Sequence, residues 1–335
     1  MSVSKTGQFT IAFLLCLPAS LLPSGAAQAQ NAPAHLANLA YYKHGIDTIV
    51  PAFRNIYCPP QPAAAREICF GAPIEARTQW GIGAFAVPDD AGGHVQISAG
   101  MALTFDFMSV AYLLSNHVTG SNGCFYEWSD YYSSILLDNQ TAIAAGQQPE
   151  AAQDLVGFAR SSQTPACRRI GELSDRDVGA IVDGNAGERA AGIEASLNFV
   201  LLHEIGHLVL HHHMTQDTPL AARRRMEMDA DNWAIDAATA AHQCIMSSFA
   251  PPFLADAGGA GSLNWEKTSD HPLGIRRYLN FLVRMQQSCE SNPTYLSRVS
   301  EADRAAVHAD TDRVIGHTRA CVDAIDQGRR CSLAH

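Results

Sequence analysis

The chain has 335 residues, 47% of them apolar and 17% charged, with 25 glycines and 16 prolines. That much apolar surface can offset the entropy of ordering the chain, which excludes a disordered or collagen-like protein and leaves one large or two modest domains. The net charge of −10, from 33 acids against 23 bases, excludes nucleic-acid binding as the main activity, because neutralising phosphates needs clustered cations.

Residues 1–29 have the layout of a secretory signal. Lys5 makes the start positive, Phe9 to Leu22 is apolar and interrupted by Pro18, and Ala27-Gln28-Ala29 is a small-x-small cleavage site. Cleavage after Ala29 predicts a mature start at Gln30 and a periplasmic or secreted protein. No stable membrane span is expected after signal removal, since the next apolar run, Met101 to Leu114, is short and carries Asp106. Losing Cys16 with the signal leaves eight cysteines, and an even number in an exported chain reads as four disulfides. The simplest pairing is sequential: Cys58 with Cys69, Cys124 with Cys167, Cys244 with Cys289, and Cys321 with Cys331. None of these pairs has the two-residue spacing of a thiolate zinc site or a redox pair.

The remaining chain, 30–335, reads as a single domain. Leu36 to Ile56 has helical periodicity, and Pro59 to Ala65 is a loop by composition. Gly83 to Val87 and His94 to Ser98 are short alternating runs around Pro88-Asp89-Asp90-Ala91-Gly92-Gly93, which predicts a hairpin. Met101 to Ser115 reads as a buried helix. Residues 116–191 lack clear periodicity and read as a long insertion with some helix, tied by its own disulfide. Gly192 to His213 is the strongest helix, followed by a helix over Arg223 to Gln243 and a loop over Ala250 to Gly261. Helices over His271 to Gln287 and Ser300 to Ile325 follow, with a disulfide closing the segment 300–335.

His203-Glu204-Ile205-Gly206-His207 lies inside that strongest helix. Positions i and i+4 are about 40° apart around a helix, so both imidazoles project from one face and can share a metal ion. Glu204 lies on the adjoining side, where a carboxylate can hold water and take its proton. Two imidazoles and a carboxylate, with one position open, suit zinc. Glu227 and Asp231 share a face of the next helix. Glu227 is the expected third ligand and Asp231 the acceptor that orients a ligand histidine, with Asp229 as the fallback ligand. The plain alternative is an acidic solvated face balanced by Arg223 to Arg225. A metzincin arrangement would use His213 as third ligand and Cys244-Ile245-Met246-Ser247 as a methionine turn, but it needs glycine where Leu210 continues the helix. His211, His212 and His213 are expected to close the helix against its exposed carbonyls.

Four segments, in order, resemble the HtpX and CAAX prenyl protease family of gluzincin metallopeptidases. They are Gly83-Ala84-Phe85-Ala86 through Gly92-Gly93-His94-Val95-Gln96-Ile97-Ser98-Ala99-Gly100-Met101, then His203 to His207 with His212 five residues on, then Glu227 to Asp231, and His271-Pro272 followed by Arg276 or Arg277. Together they cover about fifty residues. Gly83 stands where the family has Asn and Ala99 where it has Arg, and the family's membrane spans are absent, as in its soluble periplasmic members. The resemblance implies zinc held by His203, His207 and Glu227, and Glu204 as general base. It also implies a protein or peptide substrate bound as an extended strand along His94 to Ser98.

The expectation is an α+β fold, mostly helical and zincin-like, with a small hairpin or sheet beside the HExxH helix and stapled by disulfides. Its activity would be that of an exported zinc metalloendopeptidase, with cell-envelope protein quality control as the suggested setting. His271 is the candidate donor to the oxyanion, with Arg276, Arg277 and Tyr278 behind it. The competing readings are a non-catalytic exported zinc-binding or assembly factor, with His212 or Asp229 closing the site, and a latent protease covered by residues 116–191.

Overall fold

The structure is a computed structural model that describes residues 39–79, 82–89, 92–144, 150, 152–162, 164–212, 217–244, 271–298, 300–329 and 331. The predicted signal segment, the loop over 250–261, His213 and Met246 lie outside these residues.

Helix α1, Leu39–Tyr57, buries Ile46, Phe53 and Tyr57. It is joined through Cys58–Cys69 to α2, Ala63–Gly71. The loop expected over 59–65 is therefore shorter: Pro62 caps α2, and Ala63 to Ala65 are already helical. Proline suits that place because the first turn of a helix needs no N–H from it.

Three short strands follow: β1, Ile74–Arg77; β2, Ala84–Val87; and β3, His94–Ser98. β2 and β3 form the expected antiparallel pair, with Phe85 opposite Gln96. The sequence reading missed β1, which pairs parallel to the other side of β3, Ile74 opposite Val95, and gives the order β1-β3-β2. The sheet turns Val95 and Ile97 into the core. Gly93, at φ 94, packs the turn against Leu208, because a Cβ there would lie 2.6 Å from that side chain.

Ser98 ends β3 and caps the next helix, its hydroxyl accepting from Met101 N–H at 3.2 Å. That helix, α3, Ala99–Thr119, is buried around most of its circumference. Residues 116–191 are more regular than their composition suggests. They hold α4, Gly123–Ala144; α5, Leu155–Ser161; α6, Pro165–Gly171; α7, Asp175–Gly184; and the start of α8, Ala186–Val209. Phe125, Trp128, Cys167 and Ile170 from this region belong to the same buried cluster as α3 and α8. Its periodicity is masked because Ser129, Ser133 and Asn139 are buried beside the aromatic residues. Asn139, which begins a sequon-like triplet, spends its amide on the main chain of Glu150.

Helix α9, Leu220–Ala240, and α10, Gly274–Glu290, run parallel and are zipped by polar pairs. Along them Asp231 meets Arg277, Asn232 meets Asn280, Asp236 meets Arg284 and Thr239 meets Ser288. Cys244–Cys289 closes the ladder. Two last helices, α11, Pro293–Arg298, and α12, Glu301–Asp326, follow. α12 packs Ile315, Cys321 and Ile325 against Leu273, Ile275, Tyr278 and Leu282 in a second cluster. Four disulfides join the cysteines in sequential pairs, with Cα–Cα distances of 5.5, 4.9, 5.2 and 5.3 Å. Among the described residues no helix is long and apolar enough to cross a membrane.

One buried charge pair fixes α8 to this scaffold. Asp106 on α3, 3% exposed, accepts two hydrogen bonds from Arg189 at 2.5 and 2.6 Å and a third from Tyr42 on α1 at 2.8 Å. Removing one member leaves the other charge in an apolar interface. Asp106→Ala is expected to cost about 3–5 kcal/mol in urea unfolding, and the double variant Asp106→Leu, Arg189→Met to recover most of that loss.

Candidate metal centre

Gly206 lets α8 and α9 approach closely. A Cβ at that position would lie 3.2 Å from the Trp233 ring and 3.3 Å from the Ala230 carbonyl oxygen. The close crossing sets Glu227 on α9 opposite the two histidines on α8. His203 Nε2 and His207 Nε2 are 3.1 Å apart. Glu227 Oε2 is 3.4 Å from His203 Nε2, and Oε1 is 3.5 Å from His207 Nε2. These three side chains are a group able to hold a metal ion, and all three are buried.

The donor set fits zinc. Bonds of about 2.0–2.1 Å in a tetrahedral shell put two ligand atoms about 3.3 Å apart, close to the three separations here. Glu227 Oε2 is also buried without a hydrogen-bond partner, an atom that a cation would satisfy.

Charges behind the group hold it in place. Asp231 Oδ1 lies 2.8 Å from His203 Nδ1, where its charge favours the imidazolium and holds the ring. Arg277 on α10 donates to both Asp231 oxygens, at 2.7 and 2.8 Å, and reaches within 3.5 Å of Glu227 Oε2. Burial disfavours a charged His203, but Asp231 and Glu227 outweigh it and raise its pKa to about 10. Burial, aided by the charge of His203, lowers His207 to about 3. Burial would raise Glu227, but His203 and Arg277 hold it well below the usual carboxylate range. Without an ion, one imidazole therefore carries a proton that metal binding must displace.

Glu204 is buried beside this group. Burial raises its pKa, and Glu227 adds to that, while a hydrogen bond accepted from the main-chain N–H of Ala86 offsets part. This bond shows which sheet edge meets the site. β3, expected to pair with an extended substrate, is the central strand and is bonded on both sides, so it has no free edge. The open edge belongs to β2. Ser98 N–H donates to Gly83 C=O at 2.9 Å, so by antiparallel alternation Phe85 and Val87 bond to β3, while Ala84 and Ala86 turn their N–H and C=O outward.

His271 begins the segment leading into α10, 47% exposed at its side chain, with Nε2 3.5 Å from Glu227 Oε2. Of the residues expected behind it, only Arg277 enters the charge network. Arg276 pairs with Asp326 nearer the surface, and Tyr278 lies in the second apolar cluster. Asp229 is exposed and outside the donor group, as expected of a helix face that turns away from Glu227. Helix α8 ends at Val209 rather than at His213, so Leu210, expected to continue it, instead caps it, and left-handed His211 begins the turn out of it. His212, expected from the sequence to close the helix or to serve as a fourth ligand, instead turns back so that its Nδ1 is 3.0 Å from His207 Nδ1. Its spacing of five residues from His207 was the available signal.

A family model described as Peptidase U49 matches residues 193–292, the stretch that contains all of these helical site residues. The match indicates a peptidase family, without singling out the HtpX and CAAX prenyl protease type. No curated protein and no solved structure matches the chain.

Arg277 is the cation on which two buried carboxylates depend. Arg277→Met is expected to lower stability by about 3–5 kcal/mol, measured by urea unfolding in the presence of a chelator.

Proposed function

We propose that the chain is an exported zinc-dependent endopeptidase with Glu204 as general base. The observation that carries this reading is the meeting of His203, His207 and Glu227 with a further buried carboxylate, Glu204, at the open edge of β2. The peptidase-family match supports it from sequence.

Zinc held by His203, His207 and Glu227 would polarise the scissile carbonyl and make a water acidic enough to lose a proton near neutral pH. The remaining work falls to the chain. An extended peptide lies along β2 and exchanges main-chain hydrogen bonds with the outward groups of Ala84 and the outward carbonyl of Ala86, whose N–H is held by Glu204. Because Glu204 accepts from the N–H of Ala86, a chain paired to this edge passes beside its carboxylate. Glu204, made more basic by burial, takes the proton of the attacking water and delivers it to the leaving amine. His271, open to solvent and close to Glu227, donates to the oxyanion of the tetrahedral intermediate. Arg277 and Asp231 keep Glu227 and His203 aligned throughout. A closed structural zinc site would need a fourth protein ligand, and the donor group among the described residues consists of three.

Replacing Glu204 with Gln preserves the shape of the site and removes the base. Glu204→Gln is expected to bind zinc as wild type does and to lose cleavage of unfolded casein by at least about 100-fold. Full cleavage by this variant, or cleavage by wild type that survives complete zinc removal, contradicts the mechanism. Export has its own test. N-terminal sequencing of the mature protein should begin at Gln30, and the denatured, unreduced chain should titrate no free thiol.

A further inference from the structure

Helix α8 ends in a Schellman motif. His212 N–H donates to His207 C=O at 2.9 Å, His211 N–H donates to Leu208 C=O at 3.1 Å, and His211 lies in the left-handed region at φ 54. Glycine usually takes that left-handed place, because a side chain strains it. This ending brings together the residues in the positions of His207 and His212, where an apolar contact is the usual companion. Here the companions are two imidazoles. Their Nδ1 atoms are 3.0 Å apart, and the rings meet edge to face with centroids 5.1 Å apart.

The direction of His207 gives this contact a consequence. Its Nε2 faces His203 and Glu227, so binding an ion there leaves the proton on Nδ1. A buried N–H needs an acceptor, and His212 Nδ1 is in place to be one.

We propose that His212 is a positioning residue for the metal centre: it accepts the Nδ1–H of His207, fixing the tautomer and ring plane that aim Nε2 at the ion. His212 thus does for His207 what Asp231 does for His203, and a neutral ring orients one ligand while an anion orients the other. The inference rests on the metal site of the proposed function. It also separates His212 from the plain helix-closing role expected for the histidine run, since backbone bonds alone close the helix.

Two variants separate positioning from packing. His212→Leu restores the usual apolar contact of the motif and removes the acceptor. His212→Asn keeps an acceptor oxygen at nearly the same distance from the main chain. Zinc affinity is measured by competition with a chromophoric chelator, and folding of the metal-free proteins by thermal unfolding. His212→Leu should unfold within a few degrees of wild type yet bind zinc about 10- to 100-fold more weakly, and His212→Asn should recover most of that affinity. Wild-type affinity in His212→Leu, or an equal loss in both variants, overturns the positioning role while leaving the metal site standing. Failure of the wild-type protein itself to take up zinc overturns both.

Discussion

A carboxylate that is only 4% exposed cannot stay charged between apolar helices unless cations and polar groups surround it, and Glu227 is such a carboxylate. Its surroundings come from three elements: two imidazoles from α8, Arg277 from α10 and His271 from the segment leading into α10. Arg277 in turn holds Asp231, which lies against the far side of His203. Glu227, His203, Asp231 and Arg277 thus hold one another, each held by a partner whose own charge needs the same arrangement. The cost of dismantling one contact spreads to the rest, which is why the centre can be rigid although a short sheet and several helices build it.

The scaffold delivers α8 to that arrangement in two ways. On one side the Asp106–Arg189–Tyr42 network anchors its first turns to α3 and α1. On the other, Gly206 removes the Cβ that would hold α9 away. The parallel ladder between α9 and α10 then carries Arg277 into reach, and Phe199 packs edge to face on Phe281 to join α10 to α8. The sheet contributes an edge. Through its bond to Ala86, the Glu204 carboxylate lies at the β2 edge of the sheet.

Much of this is legible in the sequence wherever one local pattern decides the outcome. The spacing of His203 and His207 fixes them on one face, Glu227 and Asp231 lie one turn apart, and the alternation around Gly92-Gly93 marks the β2–β3 hairpin. The sequential cysteine pairs also form as the simplest connectivity has them. What is not legible depends on distant partners. β1 is four residues long and gains its identity only by pairing with β3, which converts β3 from an edge into the middle strand. Arg276 and Arg277 are adjacent in sequence, and only the packing of α10 decides that one meets Asp231 and the other Asp326. Residues 123–171 hide their helices because buried serines interrupt the apolar pattern. The spacing of His212 from His207 is legible, but a run of three histidines does not reveal the turn that folds that one ring back onto His207.

Two imidazoles and one carboxylate, with no cysteine, make up the proposed ligand set of the metal. X-ray absorption at the zinc edge of the purified mature protein tests it most directly. Zinc bound at about 2.0–2.1 Å by nitrogen and oxygen atoms is expected, with the imidazole scattering lost in the variant His203→Ala, His207→Ala. Sulfur scattering at about 2.3 Å, or a zinc environment unchanged in that variant, would contradict it.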